Sequence, residues 1–296
     1  MTPAHRPIAE TVGTAAERVL VLSHGAAEVT AGVLPTVLAI LDANRVEVLA
    51  TADEVAKHPP LADRTVVTGA ELRPGGVDLV LVLGGDGSIL RALSVEAKTG
   101  APVLGVNFGR VGFLATVEQA DLERSLTRAL RGDYVTLALP SLKAEWIGGT
   151  INAVNDLAFL RGGESRLADL SYSVDGESEA TIRCDGLICS TPVGSTAYNL
   201  AAGGPTVSWR TRAYVISFIA AHHLDTRPLI LAPEESLVVT NSAVVGVCDV
   251  LADGVRIGEL PPGRSVTVGL GGEEVHLAIF PESSFFRRYR EKFGRP

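Results

Sequence analysis

Asp86 is the residue whose neighbours best equip it for chemistry. It stands inside Gly84-Gly85-Asp86-Gly87-Ser88. Val77–Leu83, just before, is apolar and β-branched, which predicts a buried strand. After it Ser88 is a good N-cap, and Leu90, Leu93 and Ala97 recur at i, i+3 and i+7, with Ile89 meeting Leu93 at i+4. That spacing predicts a helix with one core-facing stripe. A strand, a glycine turn and a helix start offer bare backbone N–H groups and a positive helix end, which suits phosphate. Glycine also lets a ligand come close to the backbone. A carboxylate adds nothing to phosphate binding, so Asp86 has two readings. It caps its own turn through an Asx bond, or it accepts the proton of a hydroxyl that attacks a phosphoryl group. The pattern is neither Walker A nor Gly-x-Gly-x-x-Gly.

Two further stretches stand out. Asn107-Phe108-Gly109-Arg110-Val111-Gly112-Phe113-Leu114 is a second glycine turn, and by itself it reads as a strand end with Phe113 plugging the core. Cys184 to Pro205 packs glycines, hydroxyls and small residues densely. A Pro192-Val193-Gly194-Ser195 turn into a short helix from Thr196, ended by Gly203-Gly204-Pro205, accounts for the turn residues. It leaves Asp185 and Tyr198 beside a surface of small groups, which suits a flat ring entering a cleft.

The elements that must position these residues change character along the chain. Residues 1 to about 16 read as a loose tail. Arg18–His24 and Val46–Leu49 read as strands, joined by a helix with Val29, Val33, Val37, Ile40 and Leu41 on one side and a kink at Pro35. Residues 51–76 are mixed. Pro102–Val106 is another strand, and Glu118–Leu130 an amphipathic helix. Strands and helices alternating at this spacing predict a parallel sheet with helices on both faces. From about Leu137 short strands alternate with hairpin signals at Gly148-Gly149, Asp175-Gly176 and Asp253-Gly254. The expected organisation is an α/β nucleotide-binding domain over 1–130, a β-rich, sandwich-like substrate-binding domain over 131–280, and a basic C-terminal helix over 281–296 returning to the first domain.

The totals narrow the function classes. Lys and Arg number 26 and Asp and Glu 34, a net charge of −8, which speaks against a nucleic-acid partner. An anionic ligand must then be held by local arginines and backbone amides. No run of eighteen apolar residues predicts a membrane span, and the first residues lack the apolar core of a signal peptide. Cys184, Cys189 and Cys248 form no C-x-x-C pair, which fits reduced thiols in a cytoplasm.

Gly84–Ser88, Asn107–Leu114, Asn155-Asp156 and Asp185–Pro205 occur in the order and rough spacing of the NAD kinase family, which the chain resembles over about residues 18–290. The resemblance implies a cytoplasmic homo-oligomer, a dimer or tetramer, that phosphorylates the adenosine-ribose 2′-hydroxyl of NAD to NADP. It implies ATP or polyphosphate as donor, a divalent cation (magnesium the expected ion), and a cleft between the two domains. It makes Asp86 the proton acceptor and Gly84, Gly85, Ser88 and Asn107 the donor-phosphate contacts. It gives the NAD contacts to Gly87, Arg91, Phe113, Asn155, Asp156, Arg166, Arg183, Asp185, Thr196, Ala197, Tyr198, Asn199, Leu200, Ala201 and Ala220. Arg183 beside Asp185 leads to the expectation that it orders Asp185 at the nicotinamide end and favours NAD over NADH. Ser88, Val193, Ala201 and Val255 depart from the family's usual residues. Two alternatives stand: a lipid kinase of the diacylglycerol or sphingosine type, which shares the Gly-Gly-Asp-Gly loop, and a non-catalytic dinucleotide sensor.

Overall fold

The apolar run before the first glycine turn forms the strand Leu79–Gly84, every residue of it buried. It is central in a nine-stranded sheet. The sheet runs Glu10–Val12, Val135–Leu139, Val275–Ile279, Val103–Asn107, Leu79–Gly84, Arg18–Ser23, Glu47–Thr51, Thr65–Val67, with Val117–Glu118 paired beside Val103–Asn107. The strands from Val275–Ile279 through to Thr65–Val67 pair in parallel, and Glu10–Val12 lies antiparallel on Val135–Leu139. This computed structural model describes residues 10–294 except Ala70, Arg110, Val111, Ile147, Gly148, Glu164, Ser165 and Leu224, with the backbone alone at 95–97 and 178–179.

Register decides what the sheet can present. Leu83 pairs with Ser23, and Gly84 with Asn107. Three neighbouring strands therefore end level with one another, and the chain leaves each of them on the same edge of the sheet. The strand order reverses between Arg18–Ser23 and Leu79–Gly84. A crevice outside such carboxyl ends is the usual ligand site of an open α/β sheet. Valines and leucines of these strands, with Leu34, Val37, Leu38, Leu122, Leu126 and Leu130 from the covering helices, make one apolar core.

Several local expectations change. The helix after the glycine turn is Asp86–Thr99, starting two residues before Ser88. Ser88 and Ile89 donate their N–H groups to the Gly85 carbonyl, so Gly85 is the cap and Ser88 lies within the first turn. Pro35 does not kink a helix. It stands at the start of Leu34–Ala43, where proline's missing N–H would have no partner anyway. The presumed tail contributes Glu10–Val12, whose three residues are all exposed and carry no periodic signal. The mixed stretch holds the helix Ala52–Lys57, capped by Thr51, and the strand Thr65–Val67.

The described residues divide into two compact units, one of 10–138 with 275–294 and the other of 139–274. The C-terminal helix Phe285–Phe293, capped by Ser284, belongs to the first of them. The strand-rich unit has two antiparallel six-stranded sheets. Their facing residues, among them Leu157, Phe159, Leu170, Leu187, Ile216, Val239 and Val268, form a second core. Asp175-Gly176 and Asp253-Gly254 have φ of 49° and 84°, and 50° and 78°. Positive φ at both central residues is the hairpin geometry that such sequences favour. Of Gly148-Gly149, Gly148 lies outside the described residues, and the flanking strands pair Gly149 with Trp146. All three cysteines are buried.

Candidate active site

The Asp86 side chain does not cap its own turn. Its carboxylate reaches the second glycine turn, where Oδ2 accepts from the Phe113 N–H at 2.7 Å. Oδ1 accepts from the N–H groups of Leu114 at 2.9 Å and Ala115 at 3.3 Å. Gly112 makes this approach feasible, because a Cβ there would stand 2.1 Å from Asp86 Oδ1. A carboxylate has roughly four lone-pair directions, so three amides orient it and leave one for a further donor. Phe113 sends its ring the other way, buried against Phe285 and Phe293 with centroids 6.0 and 5.7 Å apart and Lys292 above it. It is both a core plug and, through its backbone, a holder of Asp86.

The opposite side of the helix start faces a cleft of about 350 Å³ lined by His24, Val29, Gly85, Gly87, Ser88, Arg91, Phe108 and Gly109. Arg91 donates to the Ser23 carbonyl at 2.9 Å, which fixes its guanidinium at this rim. Ser23 is itself buried in a polar cluster that the sequence did not announce. Its hydroxyl donates to Glu54 Oε2 at 2.5 Å, accepts from Lys57 Nζ at 3.0 Å, and stands 3.0 Å from His58 Nε2. Burial holds the buried His58 below the usual imidazole range. Asn107 works locally, accepting from the Gly109 N–H and donating to Glu118.

In the strand-rich unit, a hairpin turn supports Asn155 and Asp156 from below. The Asp253 carboxylate accepts from the N–H groups of Val154 (2.9 Å), Asn155 (2.7 Å) and Asp156 (3.2 Å). Burial pushes Asp253 up against the pull of those donors. Asp156 is 4 % exposed. Burial, and then the Asp253 charge, push it up to about 7, against a hydrogen bond from the Tyr198 backbone. The Asn155 amide oxygen is buried without a partner. Buried polar atoms are ordinarily satisfied, so an orphan here is a place where a bound group's donor would fit. Tyr198 is partly exposed, and the Asp156 and Asp185 charges add to burial in raising its phenol.

The family models decide what this arrangement belongs to. The ATP-NAD kinase N-terminal domain matches residues 5–134, and the ATP-NAD kinase C-terminal domain matches residues 154–279. The chain belongs to the ATP-NAD kinase family. An NAD kinase of Leifsonia xyli is 38% identical, with 82% of each chain covered. The NAD kinase of Corynebacterium jeikeium is 32% identical, covering 99% of this chain and 86% of its own. Two solved structures share the fold. A yeast NADH kinase complexed with NADH superposes with a TM-score of 0.82 at 23% identity, covering 98% of this chain and 89% of that one. An NAD kinase of Archaeoglobus fulgidus in complex with ATP gives 0.71 at 24%, covering 94% and 97%.

Against the residues expected from the NAD kinase resemblance, the structure makes distinctions. Arg183 does not order Asp185. Its guanidinium pairs with Asp169 at 2.9 and 3.3 Å, directly across the strand pair, because Asp169 and Arg183 are register partners. Asp185 pairs instead with Arg161 at 3.0 Å, a partner no sequence spacing suggested. Arg166 and Arg183 line a second cleft, of about 620 Å³, with Gly162, Asp169 and Val245. Asn199 is fully buried, its amide donating to the Ser195 and Pro205 carbonyls and accepting from Ser217. Its side chain serves the turn, and only its backbone is left for a ligand. Thr196 Oγ1 donates to the Val193 carbonyl at 3.1 Å. Leu200 is half-buried, and Ala201 beside it is exposed. Ala197 has an unusual backbone, φ −104° and ψ −121°, between the two short helical turns of this segment. Ala220 is exposed in the left-handed region at φ 47°, which a residue with a Cβ rarely adopts.

Proposed function

We propose that this chain is an NAD kinase, transferring a phosphoryl group from ATP or polyphosphate to the adenosine-ribose 2′-hydroxyl of NAD to give NADP. One observation carries the reading: a carboxylate oriented by three backbone amides stands at the start of a helix whose glycine turn lines a cleft at the carboxyl ends of parallel strands. In this reading the glycine turn at Gly84-Gly85, with the Ser88 hydroxyl and the helix start, holds the donor phosphates, and Gly87 and Arg91 contact NAD. Asp86 keeps one direction free for the ribose hydroxyl, whose proton it takes as the phosphoryl group arrives. Phosphoryl transfer is largely dissociative, so orientation of the hydroxyl contributes at least as much as proton removal. Asn155 and Asp156 supply hydrogen bonds to the ribose, and the unpartnered Asn155 oxygen supports that role. Tyr198 offers the partly exposed ring beside which a base can stack.

The donor chemistry calls for a divalent cation. Among the described residues no group of three or more His, Cys, Asp or Glu is placed to hold a metal ion unaided. Magnesium would be held chiefly through the donor's own phosphates beside the glycine turn, keeping several of its waters. When bound, the cation would neutralise charge on the transferring group. The same reading makes the enzyme a cytoplasmic homo-oligomer, which sedimentation and fractionation test. Among the described residues no helix is long and apolar enough to cross a membrane.

The direct test is transfer of labelled phosphate from ATP or polyphosphate to NAD, to a diacylglycerol or sphingosine, or to no acceptor. Label on NAD is expected, and label on a lipid or on nothing overturns the reading. Asp86→Asn tests the mechanism. A positioned general base contributes about 10²–10⁴ in rate, and a loss in kcat of that order is expected with NAD affinity kept within a few-fold. Asparagine also turns an amide toward three N–H donors. An unsatisfied donor costs about 1–3 kcal/mol, so the melting temperature should fall as well. A kcat loss below about tenfold is too small for the assigned role.

A further inference from the structure

The segment that holds Asp86 is itself held from behind. Arg288, on the C-terminal helix, is 7 % exposed. Its guanidinium Nη1 donates to the Ala115 carbonyl. Ala115 thus faces both ways: its N–H donates to Asp86 Oδ1, and its carbonyl accepts from Arg288. The next N–H, of Thr116, donates to the Gly105 carbonyl at 3.0 Å, and the Thr116 hydroxyl to the Ala278 carbonyl at 3.2 Å. The peptide between Ala115 and Thr116 is therefore fixed at its oxygen by Arg288 and at its nitrogen by the strand Val103–Asn107. Through the Ala115 Cα it is joined to the peptide whose N–H reaches Asp86 Oδ1.

Arg288 has no ordinary reason to be buried. Removing an arginine from water is costly, and a buried cation normally has a carboxylate in direct contact. Here the bonded acceptor is a neutral carbonyl, and the Arg288 Nε is buried without a hydrogen-bond partner. Asp86, Glu118 and Glu291 act on it only through their fields, Asp86 most strongly. The same helix packs Phe285 and Phe293 on Phe113.

We propose that Arg288 is a positioning residue for the kinase reaction: by holding the Ala115 carbonyl it sets the three amides that orient Asp86. This rests on the reading of Asp86 given above. The test compares wild type, Arg288→Met, Arg288→Lys, Asp86→Asn and the Asp86→Asn/Arg288→Met double variant. Misplacing a reacting group by about 1 Å can cost about 10²-fold, so Arg288→Met should lower kcat by roughly ten- to a hundredfold with KM for NAD changed less than about threefold. Arg288→Lys keeps charge and donor and should recover at least about a third of wild-type kcat. In the Asp86→Asn background, Arg288→Met should lower kcat by less than about twofold further, since residues acting as a unit are not additive. Losses that multiply, or full activity in Arg288→Met, overturn the proposal. Should Arg288→Met not fold, Arg288→Gln, which retains an N–H, replaces it in both backgrounds with the same expectations. Amide hydrogen exchange at Phe113, Leu114 and Ala115 separates this proposal from the kinase reading. Faster exchange there in the variant supports positioning even if wild type transfers no phosphate to NAD, and unchanged exchange overturns it.

Discussion

Asp86 and Asp156 are both carboxylates beside backbone amides, and their surroundings give them different work. Asp86 is half-buried and turned by three N–H donors into one orientation. Asp156 is buried beside a second carboxylate that has taken the local donors for itself. Of that pair Asp156 carries the proton first, because Asp253 has three hydrogen bonds to its charged form and Asp156 only the one from Tyr198. A stability consequence follows from the sign of the shift. The unfolded chain releases the Asp156 proton near 3.8 and the folded chain near 7. Below the lower value the group's contribution is fully present. It is lost as pH rises through the higher one, because charging the buried group costs free energy. The loss is on the order of 1–4 kcal/mol between pH 4 and pH 8. Urea unfolding at pH 5 and pH 8 should show this decline in wild type and a flatter dependence in Asp156→Asn. An equal decline in both would place the titrating group elsewhere.

At the scale of elements, the two glycine turns matter because they are neighbours. Each was legible as a turn from its own residues. That Gly84 pairs with Asn107, so that one turn's carboxylate meets the other's amides, was not, because register between strands separated by a helix is set by packing across the sheet. Gly112 joins the two. Gly112→Ala would put a Cβ 2.1 Å from Asp86 Oδ1, far inside van der Waals contact, and the carboxylate must swing away from its three donors. The expected result is a kcat loss of about tenfold or more, from the misplacement of a reacting group, with the chain still folded. A variant with kcat within about twofold of wild type would mean that Asp86 needs no such orientation. The hairpins were easier: Asp175-Gly176 and Asp253-Gly254 state their turn type in two residues. The further use of Asp253, accepting from Val154, Asn155 and Asp156, came only with the contact between hairpin and strand.

For the whole molecule, sequence order and spatial order disagree. The strand Val275–Ile279 lies between Val135–Leu139 and Val103–Asn107, and the helix after it covers Phe113. The strand and helix near the end of the sequence therefore complete the unit to which Glu10–Val12 and Arg18–Ser23 belong. A chain ending at Glu274 lacks an interior strand and a covering helix, a larger loss than the roughly 5–15 kcal/mol by which a domain is folded. It should show no cooperative melting of the α/β unit by circular dichroism and no kinase activity. A melting temperature within about 5 °C of wild type would contradict this. The three thiols offer a second global check. Burial pushes Cys184 up to about 12 and Cys248 up to about 11, and raises Cys189 as well. Native protein should be nearly inert to a thiol reagent, with all three thiols reacting in denaturant. Rapid labelling of the native protein would show that a core opens readily. By itself the sequence determined the alternation of strand and helix, the turn chemistry, the β-rich second unit and the family, because periodicity, glycine and hydroxyl patterns are local properties of the chain. Only the tertiary structure decided which partner each charge takes: Asp169 for Arg183, Arg161 for Asp185, the Phe113–Ala115 amides for Asp86 and the Ala115 carbonyl for Arg288. Those choices join residues up to 173 positions apart, and at that range no spacing in the sequence carries the information.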